Sequence, residues 1–450
     1  MAAFLAAHVV LGVSMDDYPQ AATAHPLAAM AAGLWWALTR RNQYRVALAA
    51  AYIMGGEVLW RMTDARIPYE SAKLAIAGLF GIGLLRRGVR RINGPAALYL
   101  LLLAPSALLT AANLPLGLAR EQISFNLAGP LALGLSVMFF TGVRMTEQQF
   151  LKLLLAPLGP AVGIASIAIR RTAAAQTIEF TQESNYLTSG GFGPNQVSAA
   201  LGLGAFLALW LALRGRARWG GQAQALVVMG VLAAQSALTF SRGGLLTAGL
   251  ASSVALLFLV RDRGVRARIV MLAPLACAAG ALWIAPRLNE FTGGALGVRL
   301  QDTRIESRRE LMVAELRVWR EHPLLGAGPG MAREARATGQ FLAASHTEYT
   351  RLLAEHGLLG FVALLMLGLL SARRASQARS GAARAMVLSM IAWSLVYMTH
   401  SATRLAAPAF LFGLAWASPW FRRPVLVESK QEPEPDLAPA SSLGGLNDTY

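Results

Sequence analysis

Along most of its length the chain alternates between long apolar blocks and short polar breaks. The blocks run about 15 to 20 residues, near the length a helix needs to cross roughly 30 Å of hydrocarbon. They lack the period-two alternation of a barrel strand, and in lipid only helices or closed barrels satisfy their own backbone polar groups. The blocks therefore predict helices. Candidate spans lie near 2–15, 21–39, 46–60, 71–85, 95–112, 124–143, 150–169, 196–213, 222–240, 243–260, 268–285, 355–371, 385–401 and 405–420. The first is short. The predicted fold is an all-α polytopic membrane protein with 12–14 transmembrane helices.

The polar breaks predict orientation. Alternate connections carry Arg40, Arg41 and Arg45; Arg86, Arg87, Arg90 and Arg91; Arg144 and Lys152; and Arg214, Arg216 and Arg218. The series continues through Arg261, Arg263, Arg266 and Arg268; Arg373, Arg374, Arg379 and Arg384; and Arg422 and Arg423. The intervening short connections hold fewer, mainly Arg61, Arg66, Arg120, Arg170, Arg171 and Arg404. Cytoplasmic loops are the basic ones, so the first set and both termini are expected inside. Three polar segments are then outside: 170–195, the short turn 239–244, and the long segment 286–354.

This divides the chain into N-terminal transmembrane helices (1–119), a transmembrane core with outer-face motifs (120–285), and an outer loop with short amphipathic helices (286–354). C-terminal transmembrane helices (355–427) and a cytoplasmic tail (428–450) follow. The tail is rich in Pro, Glu, Ser and Gly, a composition that predicts disorder. No basic residue precedes the first apolar stretch, which argues against a cleaved signal peptide.

Composition narrows the class. Hydrophobic residues make up 55% and charged ones only 14%, against about 25% charged in a soluble domain. The net charge of +17 sits where membrane orientation requires it, with no aromatic-interleaved basic groove, so nucleic acid is not an expected partner. The single cysteine, Cys277, excludes an intrachain disulfide or a thiolate metal site and reads as a small buried hydrophobe.

Candidate chemistry gathers on the outer face. In 307–330, Ile305, Met312, Leu316 and Trp319 recur at helical spacing, and Arg308 falls on that stripe. Arg309, Arg317 and Arg320 point elsewhere. An arginine on an apolar face either meets an anion or snorkels at the membrane surface. Pro323 and the glycines at 326, 328 and 330 then end the helix and open a tight loop. Ser345 and Glu348 fit a capping box, which puts His346 in the first turn of the next helix. The positive helix end would keep its imidazole neutral and able to take a proton. Such a histidine is either a general base or a helix-end hydrogen bonder, and Glu348 reads chiefly as the cap.

In 239–244, TFSRGG, Arg242 stands at the outer end of a span, against the orientation rule, where a charge is costly and usually functional. In 189–198, SGGFGPNQVS, Asn195 either caps the following helix or contacts a ligand. Asp16 and Asp17 are adjacent outer carboxylates without a partner acid at a metal-binding spacing, and no nucleotide-binding loop is present. Adjacent carboxylates can hold a divalent metal for diphosphate transfer, which stays the lesser reading of this pair; no cofactor is expected.

Taken together, these pieces resemble the bacterial O-antigen ligase and O-antigen polymerase superfamily. The resemblance rests on GFGPN at 191–195, SRGG at 241–244, the Arg308 to Met312 stretch, HPLLGAGPG at 322–330 and HTEYTRLLAEHGLLG at 346–360, in that order. It covers roughly residues 120 to 420. Thr347 stands where an asparagine often follows the histidine, and Met312 where a tryptophan often follows the arginine.

The resemblance implies an inverting, metal-independent glycosyltransferase in the bacterial inner membrane, with its site facing the periplasm. A glycan on undecaprenyl diphosphate would pass to a sugar hydroxyl, that of lipid A-core in a ligase or of a growing chain in a polymerase. It further implies His346 as the base and Arg242 and Arg308 as catalytic residues that bind the diphosphate, with Asn195 and Glu348 as further substrate-binding candidates. Ligase is the leading expectation; a polymerase or a protein O-oligosaccharyltransferase would differ in acceptor. A transporter or flippase of lipid-linked sugars should carry charges through mid-span positions, and here Glu57 is the one clear acid inside a span.

Overall fold

The computed structural model describes residues 1–39, 42–88, 92–215, 219–302, 306–337, 345–379 and 381–420, with the backbone alone at 219, 306–308, 337 and 420. The expected tail from 428 onward lies outside the described residues. The helices are α1 (Ala2–Asp17), α2 (Pro19–Thr39), α3 (Gln43–Met62), α4 (Ser71–Arg87), α5 (Gly94–Asn113), α6 (Leu116–Phe140), α7 (Glu147–Ala174), α8 (Pro194–Arg214) and α9 (Trp219–Leu238). They continue as α10 (Arg242–Leu259), α11 (Arg263–Ala279), α12 (Ala285–Phe291), α13 (Ala295–Gln301), α14 (Glu306–Glu321), α15 (Met331–Ala337), α16 (Glu348–Gln377), α17 (Gly381–Ser401) and α18 (Ala407–Leu414). A single π-helical segment, Gly280–Ile284, joins α11 to α12.

Each predicted span contains a helix, but the last, 405–420, is helical only over Ala407–Leu414 and ends in a short strand, Ser418–Trp420. Among the described residues nine helical segments are long and apolar enough to cross a membrane: α5 to α10, the continuous run Arg263–Phe291, α16 and α17. Of the rest, α1, α4 and α18 are shorter, and α2 and α3 have the length but are too polar or charged. The protein is an all-α polytopic membrane protein.

Hydrophobicity does not hold membrane helices together, because lipid is as apolar as the core, so close packing through small residues takes over. At the α8–α10 crossing a side chain on Gly244 would collide with the Ser198 carbonyl, and one on Gly202 with Gly244 itself. Gly55 of α3 lies equally close to Pro157 of α7. Where α4, α6 and α18 meet, Phe80 stacks on Phe139 at 4.2 Å between ring centroids and Phe410 closes the cluster.

The two ends of the bundle differ. At one, arginines of the basic connections are tied to helix ends: Arg87 donates to the Thr141 carbonyl (2.8 Å), Arg268 to that of Leu213 (2.7 Å) and Arg374 to that of Ala415 (2.6 Å). Arg214 bridges Glu147 and Asp262, the latter at 2.7 Å. A short parallel pair, β1 (Arg144–Thr146) with β2 (Ser418–Trp420), closes the same end. The opposite end holds the N-termini of α8, α10 and α16 and the C-terminus of α17, and carries the candidate site.

One expectation is corrected here. Cys277 is exposed rather than buried, because α11 presents its apolar surface outward from the bundle and its most apolar window has no buried residue. Apolarity alone does not distinguish a side chain facing lipid from one facing protein.

Candidate functional site

The turn between α9 and α10 is held from two sides. Asn195 sits one residue inside α8 and its Oδ1 accepts from the Ser241 hydroxyl at 2.7 Å. The N-cap of α8 is Gly193, so of the two readings of Asn195 the cap is excluded; it joins the GFGPN loop to the SRGG turn. Ser198 also donates to the Ser241 carbonyl (2.8 Å). On the other side, residues 185–188 dock onto the end of α9, with the Asn185 amide donating to the Thr239 carbonyl (2.9 Å). Phe240, between them, takes the left-handed conformation with φ 57°.

Arg242 is then the first residue of α10, half-buried. Beside it lies a residue the sequence did not single out. Arg299 of α13 donates from Nε to the Phe240 carbonyl at 3.0 Å, with Asp302 3.5 Å from its guanidinium. Burial, and next the positive charge of Arg242, hold the Arg299 guanidinium below its ordinary range. Two guanidinium groups thus converge on one turn, an arrangement suited to an anion.

His346 lies on the segment that leads into α16. It precedes the N-cap of α16, which is Thr347: the Thr347 hydroxyl accepts from the amides of Tyr349 (3.1 Å) and Thr350 (3.3 Å). The predicted capping box does not form. His346 lies one residue outside the helix rather than in its first turn, half-buried, and its carbonyl accepts from the Ala402 amide (3.3 Å) just past α17. Near the end of α17, His400 lies against Gly243 and shares a 2.8 Å hydrogen bond with Thr247 of α10. The His346 segment and the Arg242 turn are therefore fastened to the same end of α17.

Glu348 is no cap either. It is buried, accepts from Arg351 at 3.0 and 2.6 Å, and accepts again from the Thr403 amide at 3.0 Å. Arg351 reaches on to Glu355 (2.6 Å), whose other oxygen accepts from the Gly330 amide (3.0 Å). One buried cation so ties two turns of α16 to the glycine loop and to the segment after α17. This leaves Glu348 as a scaffold for the His346 segment.

The glycine loop is docked with equal definition. Ala327 and Gly328 donate to the carbonyls of Ala354 and Glu355 (2.9 and 3.0 Å), and Leu358 donates to that of Pro323 (2.8 Å). These bonds replace helical ones at a break in α16, where Gly357 takes φ 57° and ψ −135°. A side chain on Gly357 would sit 2.6 Å from the Gly326 amide nitrogen, and one on Gly326 would strike the backbone at Glu355.

On α14 the predicted stripe is rotated. Leu311, Glu315 and Val318 face inward, while Met312 is 39% exposed. Arg309, Arg317 and Arg320 are exposed, as their spacing indicates. The reason for the rotation is Glu315, a fully buried carboxylate that pairs with Arg336 (3.2 Å) and accepts from Thr350 and Ser345. Burial raises its carboxyl above the ordinary range. A stripe drawn from apolar residues passes over a charged residue that carries its partner with it. Arg308 lies near the start of α14, but its side chain and Ile305 fall outside the described residues.

Two further outer-end groups are structural. Arg61 donates to Glu57 (2.6 Å), to Gln196 beside Asn195 (2.7 Å) and to the Arg404 carbonyl (3.2 Å), while Glu57 also accepts from the Ala406 amide (2.6 Å). Glu57 thus anchors helix ends. Asp16 and Asp17 meet Arg170 and Arg171 in ion pairs, Asp17 to Arg170 at 2.7 Å. Asp16 and Asp17 are thus paired with guanidinium groups, and no cluster of metal-ligand type occurs among the described residues.

Comparison with known proteins bears on the same stretch. Residues 236–365 match the family model described as O-antigen ligase. The match supports membership of the O-antigen ligase and polymerase superfamily. The matched segment of the O-antigen ligase domain begins just before the Arg242 turn and runs past the break at Gly357, so it includes Arg242, Arg299, Arg308, His346 and Arg351. Asn195 and Arg404 reach it from outside. No curated protein matches the chain.

Proposed function

We propose that the protein is an O-antigen ligase-type glycosyltransferase of the bacterial inner membrane, acting on the periplasmic face. It moves a glycan from undecaprenyl diphosphate to a sugar hydroxyl of lipid A-core, with inversion and without metal. The observation that carries this reading is the convergence of the His346 segment and the Arg242–Arg299 turn on one end of α17, within the O-antigen ligase domain.

In this reading the acceptor oxygen bonds to the anomeric carbon from the face opposite the diphosphate. The bond from that carbon to the diphosphate oxygen breaks, and its electron pair leaves with the diphosphate. His346 takes the proton of the acceptor hydroxyl, so no alkoxide need form ahead of attack. Charge grows on the departing diphosphate, and Arg242, Arg308 and Arg299 are the fixed cations that stabilise it. Asn195 acts by holding the Ser241–Arg242 turn. Glu348 acts by holding the segment from Thr347 to Thr403.

The test is transfer by the purified full-length protein in lipid nanodiscs, with a glycan on undecaprenyl diphosphate as donor. Appearance of the glycan on lipid A-core supports the ligase reading. Longer lipid-linked chains in its place would make the protein a polymerase, and transfer to a protein hydroxyl an O-oligosaccharyltransferase.

A further inference from the structure

Beyond the donor-binding arginines, a second basic feature opens beside His346. A cavity of about 120 Å³ lies between α6, α15, α16 and the segment after α17. Arg333, Arg336, Arg351 and Arg404 line it, against a single lining carboxylate, Glu355. Both oxygens of that carboxylate are already committed, to Arg351 and to the Gly330 amide. Arg336 and Arg351 are held rigid by Glu315 and Glu348, acids that do not line the cavity. Arg404 is braced by the Ser345 carbonyl (2.7 Å). Arg333 is exposed on α15, free of any such tether among the described residues.

The rest of the lining is of the kind that grips a sugar. Gln122 and Asn126 supply amides for hydroxyl groups, and Phe125 supplies a ring face. Ser345 joins the cavity wall directly to His346, and Ala402, also in the wall, bonds the His346 carbonyl. A space of this size holds about four waters at roughly 30 Å³ each, enough for one anionic substituent and the edge of a ring. Neither Arg242 nor Arg299 lines it.

We propose that this cavity is an acceptor subsite that recognises an anionic group, phosphate or carboxylate, on the acceptor glycan, with Arg333 as the cation that reaches it. The assignment of the ligand as acceptor rests on the transfer reading above; the recognition of an anionic sugar does not. Guanidinium groups bind both anions in the same forked geometry, so the chemistry is shared between the two sources.

The experiment uses the full-length protein in nanodiscs as wild type, Arg333→Ala and Arg333→Lys. Binding is measured to lipid A-core with its core phosphates, to the phosphatase-treated form, and to a phosphate-free core bearing uronic acids; transfer and donor binding are measured alongside. Wild type is expected to bind an anionic core about five- to tenfold more tightly than the neutral one, the worth of one partly exposed charge-assisted contact. Arg333→Ala should lose that preference and raise the acceptor KM by the same factor, leaving kcat and donor binding unchanged, and Arg333→Lys should keep much of it. Preference for the phosphorylated or for the uronic acid core identifies the anion. Equal binding of charged and neutral cores by wild type overturns the inference, as does a weakened donor in Arg333→Ala with the acceptor untouched. If wild type transfers nothing yet prefers the anionic core through Arg333, the cavity assignment stands and the ligase reading falls.

Discussion

The hydroxyl of Ser241 donates to Oδ1 of Asn195 across 2.7 Å, joining two loops 46 positions apart in the chain. Ser241 is the N-cap residue of α10, and Arg242 follows it directly. The orientation of Arg242 is thereby set by a residue of another helix.

Asn195→Ala removes the acceptor and leaves the Ser241 hydroxyl without it, a loss of about 1 kcal/mol of stability. The expected result is a small fall in the thermal midpoint with a larger fall in transfer, because the arginine turn loosens. Thermal unfolding and turnover on the same preparation check it; equal proportional losses would argue against a positioning role.

Arg299→Ala should weaken donor binding while the fold persists, since the residue is partly exposed and bonds one carbonyl and one acid. Loss of one guanidinium contact to a diphosphate corresponds to roughly 1.5–3 kcal/mol. Titration with the undecaprenyl diphosphate donor measures it, and an unchanged affinity would remove Arg299 from the site.

Arg351→Met strands Glu348 and Glu355 in a buried setting. Breaking a buried pair from one side typically costs about 3–5 kcal/mol. The variant is expected to lose stability and transfer together, read by unfolding in detergent, whereas a stable variant would show that the carboxylates find other partners.

Gly357→Ala meets two penalties at once. The backbone there, φ 57° and ψ −135°, lies in the mirror-image extended region essentially confined to glycine, at roughly 1–3 kcal/mol for another residue, and the new methyl group would press on the Gly326 amide, 2.6 Å away. Loss of folded protein, or of the docked glycine loop, is the expected outcome; normal expression and activity would contradict the packing described.

Much of this architecture is legible in the sequence because lipid imposes a strong rule: an apolar block has to be helical, and all but the last, 405–420, are so over most of their length. The bias of basic residues likewise separates the two ends of the bundle. What escapes is the pairing of charges inside the protein. Arg61 counts only among the basic residues of the connections, and Glu315, Arg336 and Arg351 give no reading at all, yet Arg61, Glu315 and Arg336 are held within the outer end by partners tens to hundreds of positions away, and Arg351 by two acids of its own helix. A carboxylate followed at four residues by arginine, as in Glu57 and Arg61, or preceded by one, as in Arg351 and Glu355, was the available signal. The capping box at Ser345 failed for a related reason. Glu348 had a stronger partner in Arg351 than in a backbone amide, and Thr347 was free to cap instead. Arg299 gave no local signal, since only the turn at Phe240 brings it to Arg242.

The central claim is that His346 takes the acceptor proton while other groups hold the donor. The most direct measurement is single-turnover transfer by His346→Ala beside wild type, with donor and acceptor binding determined on both. The variant is expected to bind both substrates within about twofold of wild type and to lose at least a hundredfold in transfer rate, in line with removal of a general base. A variant that transfers at the wild-type rate would contradict it.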